Sequence, residues 1–377
     1  MNHGTPIEWT HVPGYRGETW NPVSGCSVAS PGCRNCYAMN IAGTRLKNHP
    51  LYHGVTDMKR AGPVFNGVMK AAPQDHKVWR LPLTWRSRRA IFVADMCDLF
   101  HPSRRLDVIA KVFARMALTP RHIYFVLTKH PQHMHDVLTG AGFADQLLDQ
   151  MNDLLNEAWI WKRSQKNHRE RIYDFGHDNV TLPLPNVWLG VSAENQEWAD
   201  QRIPVLMRIP AAVRFVSCEP LLGAVDLRRW LPCSAHVRGW ACDECDERVD
   251  QSCKICGFGH TQLDWAIAGG ESGPRPSHDT WVKTLRDTCM EREIPFFFKQ
   301  WGNWSPYCYT VPPIEERIVY LDGRSGPCTD DYIASQHAKG LHTHGGGTIM
   351  RRDHKKKIPA TIDGHAWREW PKVERSA

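Results

Sequence analysis

Three cysteines share one short stretch, GCSVASPGCRNCYAMN: Cys26, Cys33 and Cys36, with six residues between the first pair and two between the second. Thiolates bind soft or borderline metals, and a closed structural zinc takes four ligands. Three on one loop leave a metal position open, and an open position binds substrate or cofactor. An iron–sulfur cubane held by three thiolates has one such free iron; the alternative is zinc, closed by a fourth ligand such as His3 or His11. Tyr37, directly after the third cysteine, is placed either to pack against an adenine ring or to fill the core.

A second cluster stands apart. Cys242 and Cys245, then seven residues on Cys253 and Cys256, form paired CxxC elements in a polar stretch. Four thiolates at that spacing close a tetrahedral site, so structural zinc is expected in a small insertion over 233–260, with an auxiliary iron–sulfur cluster as the alternative. Such a knuckle either touches nucleic acid or a partner, or simply staples an insertion too small for its own core.

These groups need a scaffold, and the chain's periodicity supplies one. Continuous apolar runs ending in polar or small residues recur at 90–95, 122–129, 187–194, 213–219, 264–271 and 295–300, preceded by a candidate first strand at 18–23. Runs of this kind suit strands buried on both faces. Segments with helical spacing lie between them, such as Leu106, Ile109, Val112, Phe113 and Met116, or Trp281, Val282, Leu285 and Cys289. Strand–helix alternation predicts an α/β fold with a parallel sheet, an open sheet or a full or partial barrel, whose functional groups collect at the carboxyl ends of the strands. Those ends carry Asp95 and Asp98, Lys129, Ser192 and Glu194, Cys218 and Glu219, Gly269-Gly270-Glu271, and Lys299-Gln300.

The 377 residues, 42% hydrophobic and 23% charged, exclude a disordered class and allow one large domain with insertions, or two. No signal peptide or membrane-length apolar run is seen, which predicts a cytoplasmic protein with no membrane partner, whose thirteen cysteines are metal ligands and core thiols. Formal charge is 47 − 40 = +7. Part of it is concentrated in KRSQKNHRER (162–171) and RRDHKKK (351–357), runs that lie along phosphates or on solvated surface. Aromatic residues beside basic ones, in Lys77-Val78-Trp79-Arg80 and in Thr84-Trp85-Arg86-Ser87-Arg88-Arg89, suit either base stacking with phosphate pairing or core packing.

The ordered blocks IEWTHVPGYRGETWNPVSGCSVASPGCRNCY, FVADMCDLFHP, FVLTKHP, VWLGVSAEN, RFVSCEPLLG, AGGESGPRP and PFFFKQWGNW, with a tail over 355–371, resemble a phage-encoded three-cysteine-motif family of radical-SAM-like proteins. The resemblance implies a parallel-stranded (β/α) barrel, incomplete at about six strands, over 1–304, followed by an extension with a basic tail over 305–377. It implies a [4Fe–4S] cluster on Cys26, Cys33 and Cys36, in a variant of the usual three-and-two spacing, with S-adenosylmethionine bound at its free iron. Cofactor contacts are then expected from Tyr37, Asp95, Asp98, Ser192, Glu194, Gly269, Gly270 and Glu271. Lys299, Glu219 and Cys218 are the catalytic candidates, Cys218 as a hydrogen-atom donor and the other two as positioning groups or a buried ion pair. The expected activity is a radical isomerase that rearranges an amino-acid adduct on the thymine methyl carbon during phage DNA hypermodification. A radical lyase on damaged thymine and a non-catalytic metal-stabilised binding module are the alternatives. Nucleic acid or a modified nucleotide, and a flavodoxin- or ferredoxin-type reductant, are the implied partners, in the host cytoplasm.

Overall fold

Seven segments, six of them rich in β-branched, aromatic or other apolar residues, become the strands of one sheet: β1 (Arg16–Trp20), β2 (Arg89–Val93), β3 (Ile123–Thr128), β4 (Val187–Ser192), β5 (Val213–Cys218), β6 (Trp265–Gly269) and β7 (Phe296–Gln300). Their order in the sheet is their order in sequence. The structure is a computed structural model that describes residues 4–164, 182–232, 262–306, 315–329, 331, 347–352, 358 and 360–373, the side chains of 157–164 excepted. Cys242, Cys245, Cys253 and Cys256, and with them the insertion, lie outside the described residues. The parallel β/α class is therefore as expected, with seven strands where about six were anticipated.

The chain forms two compact units, Met1–Val191 with Val205–Arg214, and Ser192–Pro204 with Phe215–Ala377. In the first, β1 pairs β2, β2 pairs β3 and β3 pairs β4, all parallel. Every residue of β4 is buried, as a strand covered on both faces must be. Helix α1 (Tyr37–Gly43) follows the cysteine loop. Between β2 and β3 runs α2 (Leu106–Ala117), whose Ile109, Val112, Phe113 and Met116 form the apolar stripe read from the sequence. It packs on α4 (Ala141–Ser164), which follows α3 (Pro131–Thr139), with the Phe113 and Phe143 rings 5.3 Å apart and edge to face. Trp79 of the KVWR segment belongs to the core: it is buried, and its indole donates to the carbonyls of Ala72 and Pro73. Core packing, not base stacking, is the role of that tryptophan.

In the second unit β5 pairs β6 and β6 pairs β7, again parallel. Helix α5 (Gln196–Met207) precedes β5, and α6 (Asp279–Glu291) crosses from β6 to β7 with Trp281, Val282, Leu285 and Cys289 buried. The free side of β7 is covered by the chain's return: the Phe298 amide donates to Trp367 O at 2.9 Å and the Glu369 amide to Phe296 O at 3.1 Å. An uncovered row of amides and carbonyls would template pairing with another chain, and this segment removes it. The extension also builds a four-stranded antiparallel sheet from β8 (Trp304–Ser305), β9 (Glu315–Val319), β10 (Ser325–Pro327) and β11 (Thr348–Arg352), in the order β8-β11-β9-β10. Among the described residues no helix is long and apolar enough to cross a membrane.

Candidate functional site

The cysteine loop is shaped from both ends. Val23 and Ser24 pair antiparallel with Ala71 and Lys70, and the buried Arg104 clamps that pair by donating to Ser24 O at 3.0 Å and Lys70 O at 2.8 Å. Gly25 then turns the chain at φ +91°, where a Cβ would stand 1.9 Å from the Val68 carbonyl oxygen, so only glycine fits. At the far end a 3₁₀ turn (Pro31–Cys33) leads to Cys36, the residue that caps α1 with its carbonyl accepting from the Asn40 amide at 3.2 Å.

The carboxyl ends of β1, β2 and β3 fasten this loop. Asp95 accepts from Asn21 Nδ2 at 2.6 Å through Oδ1, and the Tyr37 hydroxyl donates to its Oδ2 at 3.1 Å and to its carbonyl at 2.8 Å. Burial pushes the Asp95 carboxyl up, against the pull of Asn21 and Tyr37. Asp98, also buried, accepts from Thr128 Oγ1 at 2.7 Å and from the amides of Phe100 at 3.0 Å and Lys129 at 2.9 Å, joining the end of β2 to the end of β3. Lys129 Nζ reaches Ser30 Oγ at 2.9 Å, and that hydroxyl lies 3.8 Å from Cys33 Sγ. Tyr37 remains 49% exposed beside the third cysteine.

The three thiols are free and half-buried. Burial pushes Cys26 up, and Asp98, Cys97, Cys33 and Cys36 push it further. Burial raises Cys36 as well, opposed by the amides of Met39 and Ala38 and by the Lys129 ammonium. Cys26 and Cys36 therefore stay protonated until a cation draws the protons off, which is how metal binding and proton release are linked. Among the described residues no three His, Cys, Asp or Glu side chains stand together as ligands for a metal ion. The donors are thus neighbours without being gathered, and a metal would have to draw them the rest of the way. Their chemistry, three uncrosslinked thiols with one ammonium close by, suits a soft or borderline metal or an iron–sulfur cluster.

Three residues absent from the sequence-derived site belong to it. Cys97, between Asp95 and Asp98, is pushed up to about 12 by burial against the pull of Arg104, and its thiol donates to Val23 O at 3.4 Å. Arg104 stands 3.9 Å from that sulfur. The third is His101, whose Nδ1 accepts from the Ser103 amide at 3.1 Å; Nε2 therefore carries the proton and donates to Ser27 Oγ at 2.9 Å, inside the cysteine loop. Cys97 and His101 lie within the FVADMCDLFHP block, but their roles depend on how the loop packs, which no spacing rule encodes.

The remaining expected residues lie in the second unit. Glu219 Oε1 meets Lys299 Nζ at 2.5 Å, both about four-fifths buried, which is the ion pair named as one option. Glu194 is fully buried against Arg202, with Nη1 at 3.0 Å from Oε2, and the same nitrogen donates to Ser192 O at 2.9 Å. Gly269 and Gly270 have packing reasons of their own: a Cβ on Gly270 would stand 2.1 Å from Trp301 O, and one on Gly269 would touch the Glu219 carboxylate at 3.4 Å. Glu271 is held by Arg275, and Cys218 is wholly buried with its thiol pushed up by desolvation.

A parallel α/β protein with a three-thiol loop fastened to the carboxyl ends of its first strands is the class that fold and site define. The chain belongs to the family described as "Protein of unknown function (DUF5131)", whose model matches residues 4–371. Comparison with curated proteins and with solved structures found no match.

Proposed function

We propose that the chain is a radical enzyme of the S-adenosylmethionine class, with Cys26, Cys33 and Cys36 holding a [4Fe–4S] cluster and the seven-stranded sheet serving as an incomplete barrel. The observation that carries this reading is one loop with three free thiols, fastened to the carboxyl ends of β1–β3, in which Cys33 and Cys36 lie close enough to raise Cys26. Bound there, cluster and cofactor together supply an electron, the cleavage of S-adenosylmethionine, and a radical able to take hydrogen from an inert carbon. The chain's own groups orient and shield. Tyr37, half-exposed and fixed through its hydroxyl by Asp95, packs against an adenine ring; Lys129, through Ser30, holds the loop at Cys33 and offsets thiolate charge; His101 fixes the loop at Ser27. Glu219 and Lys299 position substrate, and Cys218 is the hydrogen-donor candidate. The substrate reading is a thymine base bearing an amino-acid adduct, isomerised in phage DNA, with a flavodoxin- or ferredoxin-type reductant in the host cytoplasm. A base inside a duplex does not reach such a site, so the target is single-stranded, free or flipped out.

A second reading is favoured by Cys97, a fourth free thiol at the start of the cysteine loop, where it donates to Val23 O at 3.4 Å. Four thiolates would close the site and make it a structural metal in a non-catalytic binding module. The two readings separate on one variant. Cys97→Ala is expected to keep the full iron content after anaerobic reconstitution and to keep cleaving S-adenosylmethionine; loss of the metal together with absence of cleavage in wild type would establish the closed site.

Structural zinc on Cys242, Cys245, Cys253 and Cys256 is part of the proposal, resting on the paired CxxC spacing. Zinc is expected to survive aerobic purification while iron is lost, and Cys245→Ser is expected to release one equivalent with the sheet still folded. Elemental analysis finding no zinc would remove it.

A further inference from the structure

Three adjacent strands of the first unit begin behind arginines: Arg16 opens β1, Arg86, Arg88 and Arg89 precede or open β2, and Arg121 precedes β3. Two of these have structural work. Arg121 donates to the carbonyls of Pro82, Leu83 and Trp85, fastening the turn before β2. Arg89 pairs with Glu18 at 2.5 Å and lies 4.6 Å over the Trp85 ring. Burial pushes the Arg89 guanidinium down, Glu18 opposes this, and the neighbouring Arg16 adds to it, so Arg16 lies close enough for the two like charges to repel. The other three, Arg16, Arg86 and Arg88, are exposed and have no carboxylate partner among the described residues. Arg16 and Arg89 are register partners on neighbouring strands, and Arg88 lies 6.0 Å from the Tyr15 ring, which limits its freedom.

We propose that Arg16, Arg86 and Arg88 form a face that binds the phosphate backbone of a nucleic acid. Like charges held together on rigid strand starts repel one another, and that cost is offset when phosphates are bound and their counterions released. Guanidiniums suit the task because each offers planar, paired donors to phosphate oxygens. The face lies at the amino ends of β1 and β2, at the opposite end of those strands from the cysteine loop. It therefore tethers polymer at a place separate from the thiols and contacts no reacting base. The inference is independent of any metal on Cys26, Cys33 or Cys36.

The side chains of the 162–171 run and residues 353–357 of the second basic run lie outside the described residues. Of the RRDHKKK run, Arg351 and Arg352 are paired across strands with Glu316 at 2.8 Å and Glu315 at 3.2 Å. Those two arginines are neutralised within the sheet β8–β11, whereas Arg16, Arg86 and Arg88 are not.

The test is salt-dependent binding of a labelled oligothymidylate by the full-length protein. The variant is Arg16→Ala/Arg86→Ala/Arg88→Ala, and the control, Arg45→Ala/Lys47→Ala/Arg60→Ala, removes equal exposed charge elsewhere in the same unit. Losing three contacts is expected to reduce the log–log slope by about 2, at roughly 0.7 per contact on single strands. Raising salt fourfold then weakens wild type about 16-fold more than the variant, the same slope difference expressed as affinity. The control is expected to keep the wild-type slope. An unchanged slope in the triple variant, an equal fall in the control, or displacement of the probe by poly-glutamate as readily as by unlabelled DNA would each overturn the proposal, the last in favour of an acidic protein partner.

Discussion

Replacing any one of Cys26, Cys33 or Cys36 with alanine is expected to abolish the iron that anaerobically reconstituted protein holds at the loop, about four atoms per cubane cluster. The effect is all or none because a cubane on three thiolates has no spare ligand. The loop is also set by contacts that these substitutions leave in place: Arg104 on Ser24, Lys129 on Ser30, His101 on Ser27, and the tight approach of Gly25 to Val68. The variants should therefore stay folded, with unchanged far-ultraviolet circular dichroism and chromatographic behaviour, and should still carry zinc on the second cluster. Iron analysis and visible absorption report the loss. Wild-type protein that takes up only zinc at this loop would contradict the assignment.

Arg202→Met is expected to cost about 3–5 kcal/mol of stability, because it leaves the wholly buried Glu194 carboxylate without its counter-charge. Arg202 contributes more than charge: it donates to Ser192 O, and its guanidinium lies 4.2 Å over the Trp198 ring. The double variant Glu194→Gln/Arg202→Met should recover much of the loss, since no buried ion is then left unpaired. Denaturant unfolding of wild type and the two variants measures this. A change below about 1 kcal/mol in Arg202→Met, typical of an exposed ion pair, would show that Glu194 does not depend on Arg202 and would return it to a cofactor-facing role.

The strands were the most legible part of this sequence, and for a physical reason. Parallel strands covered on both faces cannot alternate, so AIFV, IYFVLT, VWLGVS and FFF stand out as unbroken apolar runs. Strand β1, RGETW, has no such run; it was expected at 18–23 and forms at 16–20. The cysteine loop was legible from residue type and spacing alone. What the polar strand ends do was not. Asp95, Asp98, Glu194, Glu219 and Glu271 look alike as carboxylates at strand ends, and their partners Asn21, Thr128, Arg202, Lys299 and Arg275 are mostly far away in sequence. Only Glu271 and Arg275, four residues apart, left a local trace. Charge runs mislead in the same way: RR at 351–352 reads as free positive charge until β9 brings Glu315 and Glu316 opposite it.

The most direct test of the radical reading is the formation of 5′-deoxyadenosine when anaerobically reconstituted protein is mixed with S-adenosylmethionine and a strong reductant. Cleavage uncoupled from substrate needs no knowledge of the base acted on, so it separates an enzyme from a binding module in one chromatogram. Wild-type protein is predicted to form 5′-deoxyadenosine and methionine, and Cys33→Ala to form neither. Iron-loaded wild-type protein that yields no 5′-deoxyadenosine, with or without oligothymidylate present, would contradict the account.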